Sequence, residues 1–298
     1  MPKIFIFDGN ALAHRAYHAM PILNDRRGQI VNAVYGFFSI LLSVLSRHNP
    51  KYIFVAFDVA GKTFRDKIFT DYKAKRKKPP QDFYDQLPII KDILHIFEIP
   101  VVQKKGYEAD DLIGALSKKL SQEGENEIFI VTADQDVFQL VSRQVKVLSF
   151  SRGINQEKIY GQSQVKEKIG VEPKNICDYK ALSGDSSDNI PGVLGIGPKT
   201  ARDLISQYGT LKNIYQNLGK IPDKIQARLK QSKDNAFMSL KLATINSRAP
   251  INFDLKEARL RDFNQEKIEK EFLKFGFKSL VKRLPQSQRR IAAQDKLF

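Results

Sequence analysis

Three short, uninterrupted apolar runs each lead to an aspartate: residues 4–7 run into Asp8, 52–57 into Asp58, and 128–131 through Thr132 and Ala133 into Asp134. Runs this short, β-branched or aromatic and apolar on both faces, fit strands covered on both sides of a sheet. Between them, segments 34–45, 87–97 and 112–120 carry apolar residues at three- and four-residue spacing, as helices do. Such alternation predicts a mostly parallel sheet flanked by helices, an α/β domain. The ligand crevice of such sheets lies at the carboxyl ends of the strands, so the three aspartates are expected to converge there. From about residue 174 the strand patterns stop, and 175–182, 198–208, 211–218, 222–245 and 265–275 read as helical. The expected organisation is an α/β domain over 1–173, a helical lobe over 174–284 and a polar tail over 285–298.

Lys and Arg number 49 against 33 Asp and Glu, a net charge of +16, which favours a polyanionic partner, nucleic acid before anionic lipid. A composition that is 42% hydrophobic and 28% charged excludes a disordered or collagen-like chain. No stretch approaches the 18 apolar residues or so of a membrane span. A lone cysteine, Cys177, excludes an internal disulfide and a Cys-rich zinc site, and the first apolar run ends too early for a secretory signal. A cytoplasmic location is expected. Residues 61–86 form a long connection that holds Lys73, Lys75, Arg76, Lys77 and Lys78 before Pro79 and Pro80. Phe64, Phe69, Tyr72, Phe83 and Tyr84 are interleaved with these cations, a mixture suited to neutralising phosphates and stacking bases.

Further acids join the three strand-end aspartates: Glu108, Asp110 and Asp111 at a helix start, Asp136 after Asp134, and Asp185 with Asp188. Nine carboxylates gathered in one place cannot all ionise without a cation, and a set of hard oxygen donors suits Mg²⁺ or Mn²⁺. Two such ions can support in-line phosphodiester hydrolysis. His14 and His18 have helical spacing but lack the Glu that a zinc-protease motif requires. The glycine-rich stretch 192–200 matches neither a Walker A loop nor a dinucleotide fingerprint, because Pro198 and Thr200 occupy required positions. It reads as a tight turn, with Gly192, Gly195 and Gly197 before a helix opened by Pro198, at which backbone amides, Lys199 and Thr200 can hold a strand phosphate without reading bases.

The ordered set Phe7-Asp8-Gly9-Asn10, Arg15-Ala16-Tyr17-His18-Ala19, Tyr72-Lys73 with Arg76, Tyr107 to Asp111, Thr132 to Asp136 and Gly184 to Gly192 resembles the 5′-nuclease domain of bacterial DNA polymerase I, of the flap-endonuclease family. The resemblance covers nearly the whole chain. It implies a PIN-like α/β domain with a helical arch at about 61–86 and a helix–three-turn–helix element in the helical lobe. It further implies divalent-metal-dependent 5′→3′ exonuclease and 5′-flap endonuclease activity on branched, nicked or 5′-ended duplex DNA, in primer removal and repair. By position, Asp8, Asp58, Glu108, Asp110, Asp111, Asp134, Asp136, Asp185 and Asp188 look like the acids for two Mg²⁺ or Mn²⁺ ions. Tyr72, Lys73 and Arg76 look like arch residues that grip the scissile phosphate, with Arg15, Lys75, Lys77 and Lys78 as further DNA contacts. The turn at 192–200 looks like the duplex-binding hairpin, where the family holds a potassium ion through backbone carbonyls; Leu194 departs from the proline common there. The expected protein is a monomer associated with the nucleoid, standing alone or followed covalently by a polymerase domain. A non-catalytic structure-specific DNA-binding protein and a PIN-type ribonuclease are the competing readings.

Overall fold

The computed structural model describes residues 1–151, 156–260 and 263–285. Its strands are β1 (Lys3–Asp8), β2 (Tyr52–Ala56), β3 (Val101–Val102), β4 (Glu127–Val131), β5 (Val145–Ser151) and β6 (Gln156–Tyr160). The helices are α1 (Gly9–Ala19), α2 (Asn32–His48), α3 (Phe64–Ile68), α4 (Gln81–Ile96), α5 (Ala109–Gln122), α6 (Gln162–Ile169), α7 (Ile176–Ser183), α8 (Pro198–Tyr208), α9 (Leu211–Gln216), α10 (Asp223–Gln231), α11 (Lys233–Ala243), α12 (Gln265–Lys274) and α13 (Lys278–Val281).

The strands order as β3-β2-β1-β4-β5-β6, parallel except for β6, which runs antiparallel to β5. The chain builds outward from β1 to β3, then crosses back to place β4 on the other side of β1. That reversal makes the β1/β4 boundary the topological switch point, where a crevice opens above the strand ends. Phe7 pairs with Val131 and Asp8 with Ala56, so Asp8 and the residues after Val131 meet at the crevice.

Both faces of the sheet are covered, which accounts for the continuous apolar runs. Ile4, Ile6, Phe54, Ala56, Ile128 and Ile130 bury against α5 and the helices after residue 176. Phe5, Phe7, Ile53, Val55, Phe129 and Val131 bury on the opposite face with residues of α1, α2 and α4.

The structure departs from the expected elements at several points, of which four bear on the architecture. The strands β5 and β6 were not anticipated, because β5 interleaves Lys146 and Ser149 with its apolar residues and β6 is mostly polar. Helix α4 starts at Gln81, six residues before Leu87: Pro80 sets the entry, and the first turns bury only Phe83 and Gln86. The segment 222–245 is two helices, broken at the buried Ser232. Finally, 174–284 is not one packing unit. Helices α12 and α13 return to the far face of the sheet, where the ring of Phe272 lies 5.5 Å from that of Phe38 and 6.1 Å from that of Phe97. Arg283 adds a bond from Nη2 to the Ser39 carbonyl at 2.8 Å. The tail expected over 285–298 lies, beyond Pro285, outside the described residues.

If α12 belongs to the α/β core, Phe272→Ala destabilises the whole domain. The expected cost is about 3–5 kcal/mol, read as a lower urea midpoint in a single transition; a separate early transition confined to the C-terminal helices would contradict this packing.

Candidate metal and nucleic-acid site

At the switch point Asp8 caps α1, with only 3% of its surface exposed. Its Oδ1 accepts the Ala11 amide at 3.0 Å and its Oδ2 accepts the Thr132 hydroxyl at 2.7 Å. Thr132 Oγ1 in turn accepts the Asp134 amide at 3.0 Å, and Asp134 Oδ1 accepts the Asp136 amide at 2.9 Å. Asp58 accepts the Ala109 amide at 2.7 Å and so fixes the start of α5 beneath Asp110. The Asp58 amide donates to Asn10 Oδ1 at 2.9 Å, which ties the ends of β1 and β2 together.

The electrostatics record how closely these acids face one another. Burial pushes the Asp8 carboxyl from its ordinary 3.8 to about 7; its two hydrogen bonds oppose the shift and the charges of Asp134 and Asp58 add to it. Asp110 is held well above the ordinary carboxylate range by burial, then by Asp134 and Asp8. Asp134 is raised by burial and by Asp136. Burial and like charge, the first two causes of a raised acid, act together here.

A second layer of acids carries countercharge. Glu108 Oε2 accepts Lys73 Nζ at 2.8 Å and the Tyr72 hydroxyl at 3.4 Å. Asp188 accepts Arg76 Nη2 at 3.0 Å and the Tyr72 hydroxyl at 3.2 Å, with Lys73 Nζ at 3.7 Å. Lys73 has a left-handed backbone, φ 56°, and its amide donates to the Asp188 carbonyl at 3.0 Å. Asn189 Nδ2 donates to the Asp71 carbonyl at 2.7 Å. These bonds dock the base of the 61–86 connection on the 184–190 loop. Lys180 of α7 bridges Asp136 and Asp185.

The expectation for Asp111 is revised. This carboxylate is fully buried and takes a two-point ion pair from Arg65: Nη1 to Oδ2 and Nη2 to Oδ1, both at 2.9 Å. Its oxygens also accept the amides of Glu108 at 3.1 Å and Asn246 at 2.8 Å. Four donors saturate it, so it is a structural anchor and not a ligand open to a cation. Arg65, 2% exposed, completes its bonds on the carbonyls of Leu242 at 2.9 Å and Thr244 at 3.0 Å. The interleaved aromatics are also revised: Tyr72 and Phe83 are buried, Phe64 and Phe69 half-buried, and only Tyr84 is exposed. Packing of this short, partly helical segment takes up Tyr72 and Phe83 fully and Phe64 and Phe69 in part.

Sequence reasoning missed Arg65 and Lys180, and it placed Thr132 in a motif without its role. An arginine or lysine amid 49 basic residues carries no local mark, and Thr132 shows its role only once β1 and β4 pair.

The remaining acids suit a divalent cation by chemistry: an all-oxygen set in which burial and neighbouring carboxylates raise the proton affinity of Asp8, Asp110 and Asp134. Among the described residues no three Asp, Glu, His or Cys side chains stand together as a formed metal cluster. Lys73, Arg76 and Lys180 neutralise the outer acids instead.

Gly192 sits at φ 65° with Gly184 against it; a Cβ there would lie 2.3 Å from the Gly184 nitrogen, so only glycine closes this loop. Its amide donates to the buried Ser239 hydroxyl at 3.0 Å. Gly197 caps α8, Lys199 is exposed, Thr200 half-exposed, and Leu194 is 80% exposed at the tip of the turn. Arg15 lies half-exposed on α1, away from the turn in sequence, and Lys75, Lys77 and Lys78 are exposed beyond the docked base. The potassium expectation meets a protein cation at one carbonyl of the turn. The Gly195 carbonyl accepts Arg228 Nη1, the Val193 carbonyl accepts the Ile196 amide at 3.0 Å, and the Gly197 carbonyl accepts the Ala201 amide at 3.0 Å. A carbonyl that accepts one amide keeps a second lone pair, so it is the Gly195 carbonyl, facing the Arg228 guanidinium, that is closed to a free cation.

A family model described as 5′-3′ exonuclease, N-terminal resolvase-like domain, matches residues 3–170, and a second, 5′-3′ exonuclease, C-terminal SAM fold, matches 171–266. The chain is 42% identical over 288 residues to DNA polymerase I of Caldicellulosiruptor bescii, covering 96% of this chain and 34% of that protein. It is 36% identical over 298 residues to a 5′-3′ exonuclease of Aquifex aeolicus, covering 100% of both. The chain thus spans about a third of the polymerase relatives it matches. Among solved structures it shares the fold of a bacteriophage T5 flap endonuclease in complex with DNA and metal ions (TM-score 0.69, 20% identity, 94% of this chain and 96% of that one). It also shares that of flap endonuclease-1 from Methanococcus jannaschii (TM-score 0.63, 19% identity, 95% and 90%).

Two measurements test the geometry. Arg65→Ala strands the buried Asp111 charge and is expected to cost about 3–5 kcal/mol of unfolding free energy; a loss below about 1 kcal/mol would mean that the pair holds nothing together. In metal-free buffer the raised Asp8 carboxyl favours its protonated form in the fold, so its contribution is present below the ordinary 3.8 and is lost as pH rises through about 7. Asp8→Asn removes that loss, so the variant gains thermal stability relative to the parent between pH 4 and 8; parallel melting curves across that range would refute it.

Proposed function

The chain belongs to the 5′-3′ exonuclease family, and on that footing we propose that it hydrolyses phosphodiester bonds at 5′ ends and 5′ flaps of duplex DNA with divalent metal. The observation that carries the reading is the gathering of Asp8, Asp110 and Asp134 at the switch point, where burial first and neighbouring carboxylates second raise the proton affinity of each. Carboxylates in that condition bind a hard cation in exchange for protons. We assign Asp8, Asp110 and Asp134, with Asp58, Glu108 and Asp136 around them, to hold Mg²⁺ or Mn²⁺, and Asp185 and Asp188 to a second ion. When bound, such ions supply Lewis acidity for in-line displacement at phosphorus.

The chain's own cations do the rest. Lys73 and Arg76 now sit on Glu108 and Asp188, half-exposed and exposed respectively. A scissile phosphate entering the crevice offers them a stronger partner, and they stabilise the charge that develops on its oxygens. Tyr72, buried with its hydroxyl between Glu108 and Asp188, positions Lys73 and serves less to touch DNA than to hold the base of the arch. Lys75, Lys77, Lys78 and Arg15 extend the positive surface toward the unpaired strand, and the turn at 192–200 takes the backbone of the duplex. Such contacts act on charge and shape without reading sequence. The reading places the protein with DNA in the cytoplasm, as a monomer, alone or joined to a polymerase domain, with no membrane contact.

A 5′-labelled flap incubated with Mg²⁺, Mn²⁺ or EDTA tests this. Cutting near the junction is expected with either metal and none in EDTA, with Asp110→Asn inactive and Lys73→Ala slowed about 10²–10³-fold at near-parental flap affinity. Tight flap binding without cutting in either metal would leave a binding protein, and equal cutting of a matched RNA flap would indicate a ribonuclease.

A further inference from the structure

The duplex-binding turn carries a cation of its own. Gly195 has φ 79°, which turns its carbonyl toward α10, and a Cβ at this position would come within 2.9 Å of the Arg228 guanidinium carbon. Arg228 Nη1 donates to that carbonyl. The helix that presents Arg228 is fixed on either side of it: Gln226 Nε2 donates to the Leu218 carbonyl at 2.7 Å, the Leu229 carbonyl accepts the Tyr215 hydroxyl at 2.8 Å, and the Leu229 side chain is fully buried. Among the described residues this is the one hydrogen bond of the Arg228 side chain, and a guanidinium has five N–H donors.

We infer that Arg228 takes the place of a monovalent metal ion at the 192–200 turn, supplying a fixed positive charge that meets a backbone phosphate of the duplex. The inference rests on the reading of that turn as the duplex-binding element. A potassium ion held by carbonyls gives a turn two things: it cancels the inward-pointing carbonyl dipoles, and it leaves positive charge for an anion. A guanidinium hydrogen-bonded to one carbonyl supplies both at once, because its charge is delocalised and its remaining donors form a planar fork suited to phosphate oxygens. An ion must be captured from solution, whereas the arginine is tethered and already in place. Gly195 is the residue that admits it: any side chain there would both strain the backbone and displace the guanidinium.

The test is binding of a fluorescent 5′-flap duplex by anisotropy, in EDTA to prevent cutting, with KCl and LiCl compared at equal concentration. The parent is expected to bind equally in both salts, within about twofold. Arg228→Ala should bind about tenfold more weakly in LiCl and recover in KCl, where the released Gly195 carbonyl can take the ion. Arg228→Lys, which keeps the charge, should stay indifferent to the salt. Parental binding that requires KCl over LiCl, or Arg228→Ala binding like the parent in both salts, would overturn the inference. Lys199→Glu separates this from failure of the turn reading: it weakens duplex binding in either salt if the turn meets the backbone. If Lys199→Glu binds duplex like the parent, the turn reading itself falls, and the inference with it.

Discussion

Like charges crowded at one end of a parallel sheet are the constraint that the rest of this molecule answers. The strands β1, β2 and β4 run the same way, so the aspartates that follow them are delivered to one edge, and the crossover between β1 and β4 leaves that edge open. An open sheet end surrounded by buried carboxylates is unfavourable unless protons, hydrogen bonds or cations intervene. All three are present: Asp8 and Asp110 gain proton affinity, Thr132 and backbone amides donate to the inner acids, and lysines and arginines neutralise the outer ones. Lys73 and Arg76 come from the arch base and Lys180 from α7, and their pairing with Glu108, Asp188, Asp136 and Asp185 draws the arch base, the 184–190 loop and α7 around the crevice.

The pair of Arg65 and Asp111 is of another kind. It lies beneath the crevice, shielded from solvent, and its donors reach α5 and the carbonyls that end α11. A buried charge pair adds little net stability over a hydrophobic contact, yet removing one partner is severe. Its service is therefore geometric: it sets where α3, the first element of the arch, leaves the domain, and so where Lys73 and Arg76 arrive. The charges at the crevice mouth are exchangeable, whereas the charge that aims them is locked.

The far side of the molecule follows apolar logic. Helices α12 and α13 close over α2 and α4 through Phe272, Phe277 and Leu280, so the chain ends its described course on the domain where it began. This leaves α7 to α11 as the helical unit next to the crevice, with the glycine turn at its outer edge. The closed loop between Gly184 and Gly192 joins the acids to the turn over a few residues, so the crevice and the turn are held at a fixed spacing.

Much of this was legible in the amino-acid order. Continuous apolar runs specify doubly covered strands, their trailing aspartates specify the crevice, and the glycine-rich stretch 192–200 specifies a tight turn, because each is a local property of a few adjacent residues. The alternation in β5 and the polar surface of β6 lie near the limit of that rule, and the return of α12 escaped it, since an amphipathic helix does not name the surface it covers. Which acid faces a metal and which faces an arginine was also beyond it. Asp110 and Asp111 are neighbours of one residue type, and a turn of helix sends the first to the crevice and the second to Arg65, 46 residues away. Sequence alone determined the sheet, its acidic edge and the positive surroundings; only the tertiary structure decided the partner of each charge, because ion pairs form between side chains that local patterns place independently and packing alone brings together.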